Sequence, residues 1–142
     1  MSHVLLVEPD DDLCLFLRLA IGGVGCRVTI AGSRAEAKEV LNGDDAVDVA
    51  ITSMVLPDGS GVSLAIDALR QAKRTYLLRF YRGRFEVADR HGVVFRGDRA
   101  ATGAFLHRAI EQQSRSKSLP SATARASHRR ARIVMPPDPR NP

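Results

Sequence analysis

The chain has 142 residues, 44% of them hydrophobic, and a formal net charge of +5, which suits one domain with a single core of ordinary size. No stretch approaches the roughly 20 apolar residues that a membrane span requires. The start of the sequence also lacks the basic flank and the small-residue cleavage site of a signal peptide. These features exclude membrane proteins and predict a soluble, cytoplasmic one.

The basic charge is concentrated at the C-terminal end. Residues 114–142 contain seven Lys or Arg against a single Asp, whereas residues 1–113 carry a net charge of −1. The C-terminal stretch is rich in Ser, Ala, Arg and Pro, and its short apolar run, IVM, is too small to offset the entropy of ordering it. We therefore predict a folded domain over residues 1–113 and a disordered basic tail over residues 114–142.

The first strand and helix follow from their apolar patterns. The run HVLLV over residues 3–7 predicts a buried strand, and the acidic cluster EPDDD follows it. Apolar residues then recur at helical spacing from Leu13 to Ile21, and Asp10 to Asp12 supply a cap and favourable charge for the positive end of that helix. A glycine cluster ends the helix. It precedes a strand and lacks the spacing of a dinucleotide-binding loop.

A second strand and helix come next. The sequence CRVTIA over residues 26–31 predicts a strand. Ser33 and Glu36 have the spacing of a capping box, and Asn42-Gly43 is a typical helix end. A second helix therefore joins them.

The third unit begins with residues 47–61, VDVAITSMVLPDGSG. Its first half is a short apolar run with β-branched residues, which is typical of a buried parallel strand that ends at Ser53. Its second half is a turn rich in Pro, Asp, Gly and Ser. Helical spacing of apolar residues then predicts a helix to about Lys73.

The sequence patterns of the last two strands and the last helix are shorter than those of the earlier elements. TYLLRFY over residues 75–81 predicts a fourth strand and VVF over residues 93–95 a fifth, and Asp98 can cap a final helix. Between these strands, Phe85, Val87 and Ala88 suit either two turns of a shortened, irregular fourth helix or an extended segment.

Five alternating strands and helices predict an α/β fold. Because the strands are apolar throughout and the helices are amphipathic, we expect a five-stranded parallel sheet with helices on both faces. Right-handed crossovers then place the loops that contain Glu8, Ser53 and Arg96 at one end of the sheet. Ligands and chemistry collect at that end in open α/β sheets.

These residues resemble the receiver domain of two-component response regulators. The run HVLLVEPDDDL, the turn DVAITSMVLPDGSG and the five repeats carry the resemblance, which covers residues 3 to about 112. It implies a CheY-like, flavodoxin-like (βα)5 fold and a role in phosphorelay signal transduction.

The resemblance also implies that the phosphoacceptor site is degenerate. Active receivers place an aspartate four residues before the turn proline, and here that position is Ser53. A hydroxyl cannot form the aspartyl phosphate, a mixed anhydride that requires a carboxylate. The two adjacent acids that hold Mg²⁺ in receivers correspond to Glu8 and Pro9. Too few oxygen ligands remain for a hard cation, so we expect no resident cofactor and a lost Mg²⁺ site.

Further positions depart from the receiver pattern. In active receivers a hydroxyl residue at the end of the fourth strand moves to contact the phosphoryl group, and here that position is Phe80 or its neighbour Arg79. The lysine that ends the fifth strand of receivers becomes Arg96, and the proline after it becomes Gly97. Arginine keeps the charge but not the compact ammonium geometry. So many changes in a chain that keeps its core pattern favour loss of phosphotransfer with retention of the scaffold.

At the altered phosphoacceptor site we expect Ser53 and Glu8 to have structural roles only. Ser53 is interpreted as a small polar residue that closes its strand, in preference to a serine-kinase substrate. Without the metal, Glu8 is expected to be a solvated acid paired with Arg96, an exposed type of pair that contributes only about 0 to 1 kcal/mol.

Arginines are frequent between the fourth strand and the last helix. They are Arg79, Arg82, Arg84, Arg90, Arg96 and Arg99. In receivers this face is the usual output and dimerisation surface, so the resemblance implies an acidic protein partner or a homodimer. A merely solvated basic face is the open alternative.

The leading hypothesis is therefore a single-domain atypical response regulator, or pseudo-receiver, that acts by phosphorylation-independent protein–protein interaction. One alternative is weak, salt-dependent nucleic-acid association through the tail, without base stacking because no aromatic residue follows Phe105. Another is a conventional receiver whose acceptor is displaced to Asp48 or Asp58. Asp48 precedes the third strand, and Asp58 lies beyond the turn proline.

Catalytic and metal-binding motifs are not found in the sequence. Ser60 lacks the glycine two residues before it that a nucleophile elbow requires, and there is no HExxH or zinc-type Cys/His spacing. We predict that the chain is not an enzyme.

Cys14 and Cys26 are expected to be buried reduced thiols. His3 and the other scattered histidines are expected to lie on the surface, without a ligand role.

Overall fold

The computed structural model describes residues 1–22 and 25–118, with residues 116–118 described by their backbone alone. The strands of these residues are β1 (Ser2–Val7), β2 (Cys26–Ala31), β3 (Val49–Ser53), β4 (Val55–Leu56), β5 (Gly59–Ser60), β6 (Arg74–Tyr81), β7 (Arg84–Asp89) and β8 (Gly92–Gly97). The helices are α1 (Asp11–Ile21), α2 (Arg34–Leu41), α3 (Gly61–Arg70) and α4 (Arg99–Ser118).

Six of the strands form one sheet, in the order β2-β1-β3-β6-β7-β8. The neighbours among β2, β1, β3 and β6 are parallel, with Val4 of β1 opposite Val28 on one side and Val49 on the other. This order of the first four strands is that of flavodoxin-like sheets. The predicted α/β class with a central parallel sheet is therefore confirmed.

The last third of the sheet differs from the prediction of five parallel strands and a shortened fourth helix. Residues 84–89 form the extra strand β7, which is antiparallel to both β6 and β8, so the sheet has six strands and is mixed. Arg82 and Gly83 join β6 to β7, with φ angles of 52° and 78° that suit a tight two-residue hairpin turn. Phe85 and Val87 are buried, whereas Arg84, Glu86 and Ala88, which alternate with them along the strand, are more exposed. The extended alternative for this segment is the correct one.

The helices pack on both faces of the sheet, because side chains of neighbouring strand residues point to opposite faces. On one face, α1 and α4 enclose a core that includes Leu6, Ile51 and Leu106. On the other, α2 and α3 enclose a second core that includes Leu5 and Leu64. The cleft described below lies at the edge of the first core.

The helix caps largely follow the sequence signals. Asp10 and Asp98 each accept an N–H bond from the third residue after them, at 2.9 and 2.8 Å. Ser33 accepts the N–H of Glu36 at 3.2 Å. The Glu36 carboxylate, however, accepts the N–H of Gly32 at 2.7 Å and not that of Ser33, so the predicted capping box is shifted by one residue.

The last helix extends beyond the predicted domain boundary at residue 113. It ends at Ser118, and the hydroxyl of Ser114 lies 3.0 Å from that of Ser2 at the start of β1. The rest of the predicted tail, residues 119–142, lies outside the described residues. None of the helices in the described part of the chain is long and apolar enough to cross a membrane.

His3 corrects the expectation of surface histidines. Its side chain is buried, with Nδ1 2.9 Å from the Ala46 carbonyl oxygen and Nε2 2.7 Å from Thr29 Oγ1. It therefore ties β1 to β2 and to the loop before β3. Within the described residues neither Cys14 nor Cys26 forms a disulfide; Cys14 is buried as expected, whereas Cys26 is only partly buried. Burial raises the pKa of the Cys14 thiol.

Candidate functional site

A cleft of about 700 Å³ opens at the carboxyl ends of β1, β3 and β6. This is the edge at which parallel α/β sheets collect ligands. Its walls combine two carboxylates, one hydroxyl, two guanidinium groups and several apolar side chains. The lining residues are Glu8, Asp10, Leu13, Ser53, Met54, Val55, Leu78, Arg79, Phe80, Gly83, Phe85 and Arg99.

Ser53 and Glu8 are joined at the base of the cleft. Ser53 is the last residue of β3, and its hydroxyl donates a hydrogen bond to Glu8 Oε1. The other Glu8 oxygen accepts the N–H of Asp10 at 3.0 Å. Glu8 is only 6% exposed, so the prediction of a solvated acid is wrong. A buried carboxylate requires such donors, and here Ser53 supplies one of them.

The predicted pair between Glu8 and Arg96 does not form. Arg96 Nε lies 2.7 Å from Glu86 Oε2, and Arg79 Nη2 lies 2.6 Å from Glu86 Oε1. The reason is the extra strand β7, which places β8 four strands away from β1, the strand that Glu8 follows, or about 19 Å at the usual strand spacing. Arg96 instead lies directly opposite Glu86 in register. Hydrogen bonds from Arg96 and Arg79 hold the pKa of Glu86 below its usual value.

Phe80 lies at the rim of the cleft rather than at its base. In register, the residue opposite Ser53 is Leu78, whose carbonyl accepts the N–H of Met54 at 2.9 Å. Phe80 is 63% exposed and packs its ring on that of Phe85, at 4.9 Å between ring centroids. The residues that β6 contributes to the cleft are Leu78, Arg79 and Phe80, and none of these side chains carries a hydroxyl.

The residues around Ser53 do not fit the Mg²⁺ ion that active receivers hold. The Glu8 carboxylate already accepts two hydrogen bonds, Pro9 has no side-chain oxygen, and Asp10 Oδ1 accepts the N–H of Leu13 as a helix cap. Mg²⁺ prefers octahedral coordination by oxygen, including one or two carboxylates. Within residues 1–22 and 25–118, no group of three or more His, Cys, Asp or Glu is arranged to hold a metal ion.

The two acids considered as displaced acceptors lie elsewhere. The Asp58 carboxylate accepts the N–H groups of Arg34 at 2.7 Å and Ala35 at 2.9 Å, at the start of α2. These bonds lower the pKa of Asp58. Asp48 Oδ2 accepts the N–H of His3 at 2.8 Å, at the opposite end of the sheet. Neither acid lines the cleft.

Gly61 is a residue of this site that the sequence pattern did not single out. A Cβ atom at this position would lie 1.7 Å from the carbonyl oxygen of Ser53, and the Gly61 N–H donates to the Met54 carbonyl at 2.8 Å. The turn after β3 therefore folds back directly against Ser53. The Gly-Ser-Gly run was the available signal, because close backbone approach is a common reason for glycine.

The predicted arginine surface divides between two faces of the molecule. Arg79 and Arg96 flank Glu86 on the face of β6, β7 and β8 that lies opposite the first core. Arg84 lies on the same face, two residues before Glu86. Arg82 is at the tip of the hairpin next to them.

Arg99 and Arg90 lie apart from this group. The Arg99 guanidinium sits over the Phe16 ring, 5.5 Å from its centroid, and lines the cleft on the α1 and α4 side. Arg90 follows β7 at the opposite end of the sheet, near the loop before β3. The six arginines are therefore not one contiguous surface.

The basic tail stays a prediction. Arg115 is the one basic residue of the predicted tail whose side chain the structure describes, and it lies 3.6 Å from Glu111 on the same helix. The remaining basic side chains lie outside the described residues.

No protein-family model matches the chain, and no curated protein matches it. Solved structures do match it, and one of them is the non-phosphorylated HemR receiver domain from Leptospira biflexa. The chain is 30% identical to that domain, with a TM-score of 0.49. The match covers 56% of this chain and 64% of the HemR receiver domain, so the chain spans less than two thirds of that domain's length.

Proposed function

We propose that the chain is a degenerate receiver-type domain, a pseudo-receiver, that takes part in two-component-type signalling by binding a protein partner without being phosphorylated. The observation that carries this proposal is the hydrogen bond from the Ser53 hydroxyl to Glu8. Ser53 occupies the position where active receivers carry the phosphoacceptor aspartate. A hydroxyl held by a buried carboxylate supplies neither the carboxylate nucleophile nor the oxygen ligands that phosphoryl transfer to a receiver requires.

The retained scaffold supports this proposal. The strand order β2-β1-β3-β6, the acid after β1 and the tight turn after β3 are in the positions that the receiver resemblance implies. The remaining polar groups at the cleft have structural partners: Glu8 accepts from Ser53, and Asp10 caps α1. In this proposal the cleft has no catalytic role and no resident metal ion, and signal output passes through surface contacts.

The test is incubation of the full chain with acetyl phosphate and Mg²⁺, followed by intact-mass spectrometry. A receiver with its aspartate serves as the positive control in the same reaction. We expect no added phosphoryl group, because no carboxylate is available at position 53. An added group that hydroxylamine removes, as it removes acyl phosphates, would contradict the proposal.

If a phosphoryl group is added, peptide mapping shows which residue carries it and so tests the alternative of a conventional receiver with a displaced acceptor. A phosphoryl group at Asp48 or Asp58 would support a conventional receiver with a displaced acceptor. We expect neither, since Asp58 caps α2 and Asp48 lies at the far end of the sheet.

A further inference from the structure

The second face of the sheet is only partly covered by helices. On this face α2 packs on β1 and β2, and α3 packs on β3 and β6. The helix that packs on β7 and β8 is α4, which lies on the opposite face. Among the described residues, no helix covers the second face of β7 and β8, because the chain between β6 and β8 forms a strand where a βαβ unit would form a helix.

One flank of α3 is apolar and borders this uncovered face. Ser63 and Asp67 face α2, where they contact Arg34 at 3.0 Å and Lys38 at 3.7 Å. The helical repeat places Val62, Ile66 and Leu69 on the other flank, toward β6 and β7. Val62 and Ile66 are 39% and 43% exposed, although their spacing is that of a buried stripe.

The floor beside this flank is also apolar. Leu77 of β6 lies opposite Ala88 of β7, and Ala88 lies opposite Val93 of β8. Val93 and Val94 are 48% and 42% exposed, and the next residue, Phe95, is partly buried against the first core. The strands β7 and β8 extend the floor by about 10 Å beyond β6. This width matches the diameter of one α-helix, about 10 Å with side chains. We call the surface formed by the α3 flank and this floor the open groove.

The end of the open groove near the β6–β7 hairpin is basic. Arg79, Arg84 and Arg96 lie there, and Glu86 is the acid among them. Three arginines against one glutamate leave a net charge of +2, and Arg82 at the hairpin turn adds to it. A ligand with carboxylates beside its apolar contacts would complement this charge.

Charge also disfavours two other occupants. Residues 119–142 contain five arginines and one aspartate, so the chain's own C-terminal segment has the same sign as the groove. A second copy that presented the same face would bring the same arginines together. Like charges in contact across an interface are costly.

We propose that the open groove binds an amphipathic helix of a protein partner, with an apolar stripe against Ile66 and Val94 and with acidic residues toward Arg79, Arg84 and Arg96. This inference rests on the proposed function and names the chemistry of its partner. The bound helix takes the place that a crossover helix between β6 and β8 would take, and it buries apolar surface that is now exposed to water.

The probe is a fluorescein-labelled peptide of 14 residues, about 21 Å as a helix, which matches the length of β8 at about 3.3 Å per residue. It carries Leu at positions i, i+3, i+4 and i+7 and Glu on both flanks. A second peptide keeps the Leu stripe and replaces Glu with Lys. Fluorescence anisotropy with the full chain measures both affinities. We expect the acidic peptide to bind at least about tenfold tighter than the basic one, with the difference reduced at 0.5 M salt.

Surface variants locate the binding site. Ile66→Asp is expected to weaken binding of the acidic peptide at least about tenfold, since it puts a charge into an apolar contact. The matched control is Leu19→Asp, an exposed apolar residue on α1 at the opposite face, and it should leave the affinity within about twofold. Val94→Asp provides a second groove variant should Ile66→Asp unfold, and thermal unfolding checks each variant. Arg84→Glu should weaken binding, whereas Arg108→Glu on α4 should not.

The groove proposal is overturned if the acidic peptide does not bind, if both peptides bind equally, or if Leu19→Asp weakens binding as much as the groove variants. These outcomes are distinct from those of the phosphorylation test. Peptide binding with the expected variant pattern together with an acyl phosphate would retain the groove and refute the pseudo-receiver. No label and no peptide binding would refute the groove and retain the pseudo-receiver.

Discussion

Replacing Ser53 with Asp brings a second carboxylate against Glu8. In the native chain Glu8 Oε1 accepts the Ser53 hydroxyl, and Glu8 Oε2 accepts the N–H of Asp10 at 3.0 Å. The variant removes a donor from a carboxylate that is 6% exposed and adds a like charge in contact with it. We expect Ser53→Asp to destabilise the fold at neutral pH.

The magnitude follows from the distance between the two charges. Two unit charges about 4 Å apart repel by about 4 kcal/mol at an effective dielectric constant of about 20. The open side of the cleft lets water reduce this repulsion, and protonation of one carboxylate limits it further. We therefore expect a loss of about 2 to 4 kcal/mol in the free energy of unfolding at pH 7.5.

The loss should depend on pH with a definite sign. The folded variant retains a proton shared by Glu8 and the introduced aspartate, and the pKa of this proton is raised by the like charge, whereas the unfolded chain releases it near pH 4. Stability relative to the native chain is then highest below about pH 4 and falls as the pH rises through the raised folded value. Urea unfolding followed by circular dichroism at pH 5 and pH 7.5 measures this difference.

Ser53→Asn is the matched control, because it has the shape of the aspartate without the charge and can donate to Glu8. If Ser53→Asp were as stable as Ser53→Asn at pH 7.5, the contact between position 53 and Glu8 would be refuted. A rescue of Ser53→Asp by millimolar Mg²⁺ would contradict the misfit of the cleft to a metal ion.

Two further variants test the surroundings of the site. Gly61→Ala should destabilise the fold by at least about 3 kcal/mol, since its Cβ would lie 1.7 Å from the Ser53 carbonyl oxygen. Gly32→Ala, whose Cβ would lie 3.7 Å from its nearest neighbour, should change stability by less than about 1 kcal/mol in the same urea titration; equal losses would contradict the tight turn. Asp58→Ala should reduce stability at pH 7, with the difference shrinking as the pH falls below about 4, because the lowered folded pKa makes this contribution present only above the unfolded value. A difference that stays constant from pH 7 to pH 2 would show that Asp58 does not cap α2 as a carboxylate.

Local patterns in the sequence were sufficient for two central strands and for the helix caps. Continuous apolar runs gave β1 and β3, and the caps at Asp10, Ser33 and Asp98 lie where short-range spacing predicts them. These features depend on contacts within a few residues or on burial of whole strands. They are therefore visible without knowledge of tertiary neighbours.

The segment between β6 and β8 shows what the sequence left open. Phe85 and Val87 alternate with Glu86, which is a strand signal, but Phe85 and Ala88 are also three apart, which suits a helix. The deciding feature is the hairpin turn at Arg82-Gly83, in which Arg82 adopts a positive φ of 52° that few non-glycine residues adopt. The turn lacks the Asn-Gly or Asp-Gly pair that usually predicts a two-residue hairpin from sequence.

The error at Glu8 has a tertiary cause. Its burial depends on the Ser53 hydroxyl, 45 residues away in the chain, and its separation from Arg96 depends on the insertion of β7. The open groove has the same origin, since the strand that displaces Arg96 also leaves the second face of the sheet uncovered. The strand β7 thus accounts both for the separation of Glu8 from Arg96 and for the uncovered face.

The most direct test of the central claim is phosphodonor labelling of Ser53→Asp. The claim is that an acceptor carboxylate at position 53 is not enough, because Pro9 has no carboxylate, the Glu8 carboxylate already accepts two hydrogen bonds and Phe80 has no hydroxyl. Restoring the acceptor carboxylate alone should then give no acyl phosphate with acetyl phosphate and Mg²⁺, as judged by intact mass before and after hydroxylamine. A stable, hydroxylamine-sensitive phosphoryl group on residue 53 would contradict the claim, because it would show that the cleft still supports metal-assisted phosphoryl transfer.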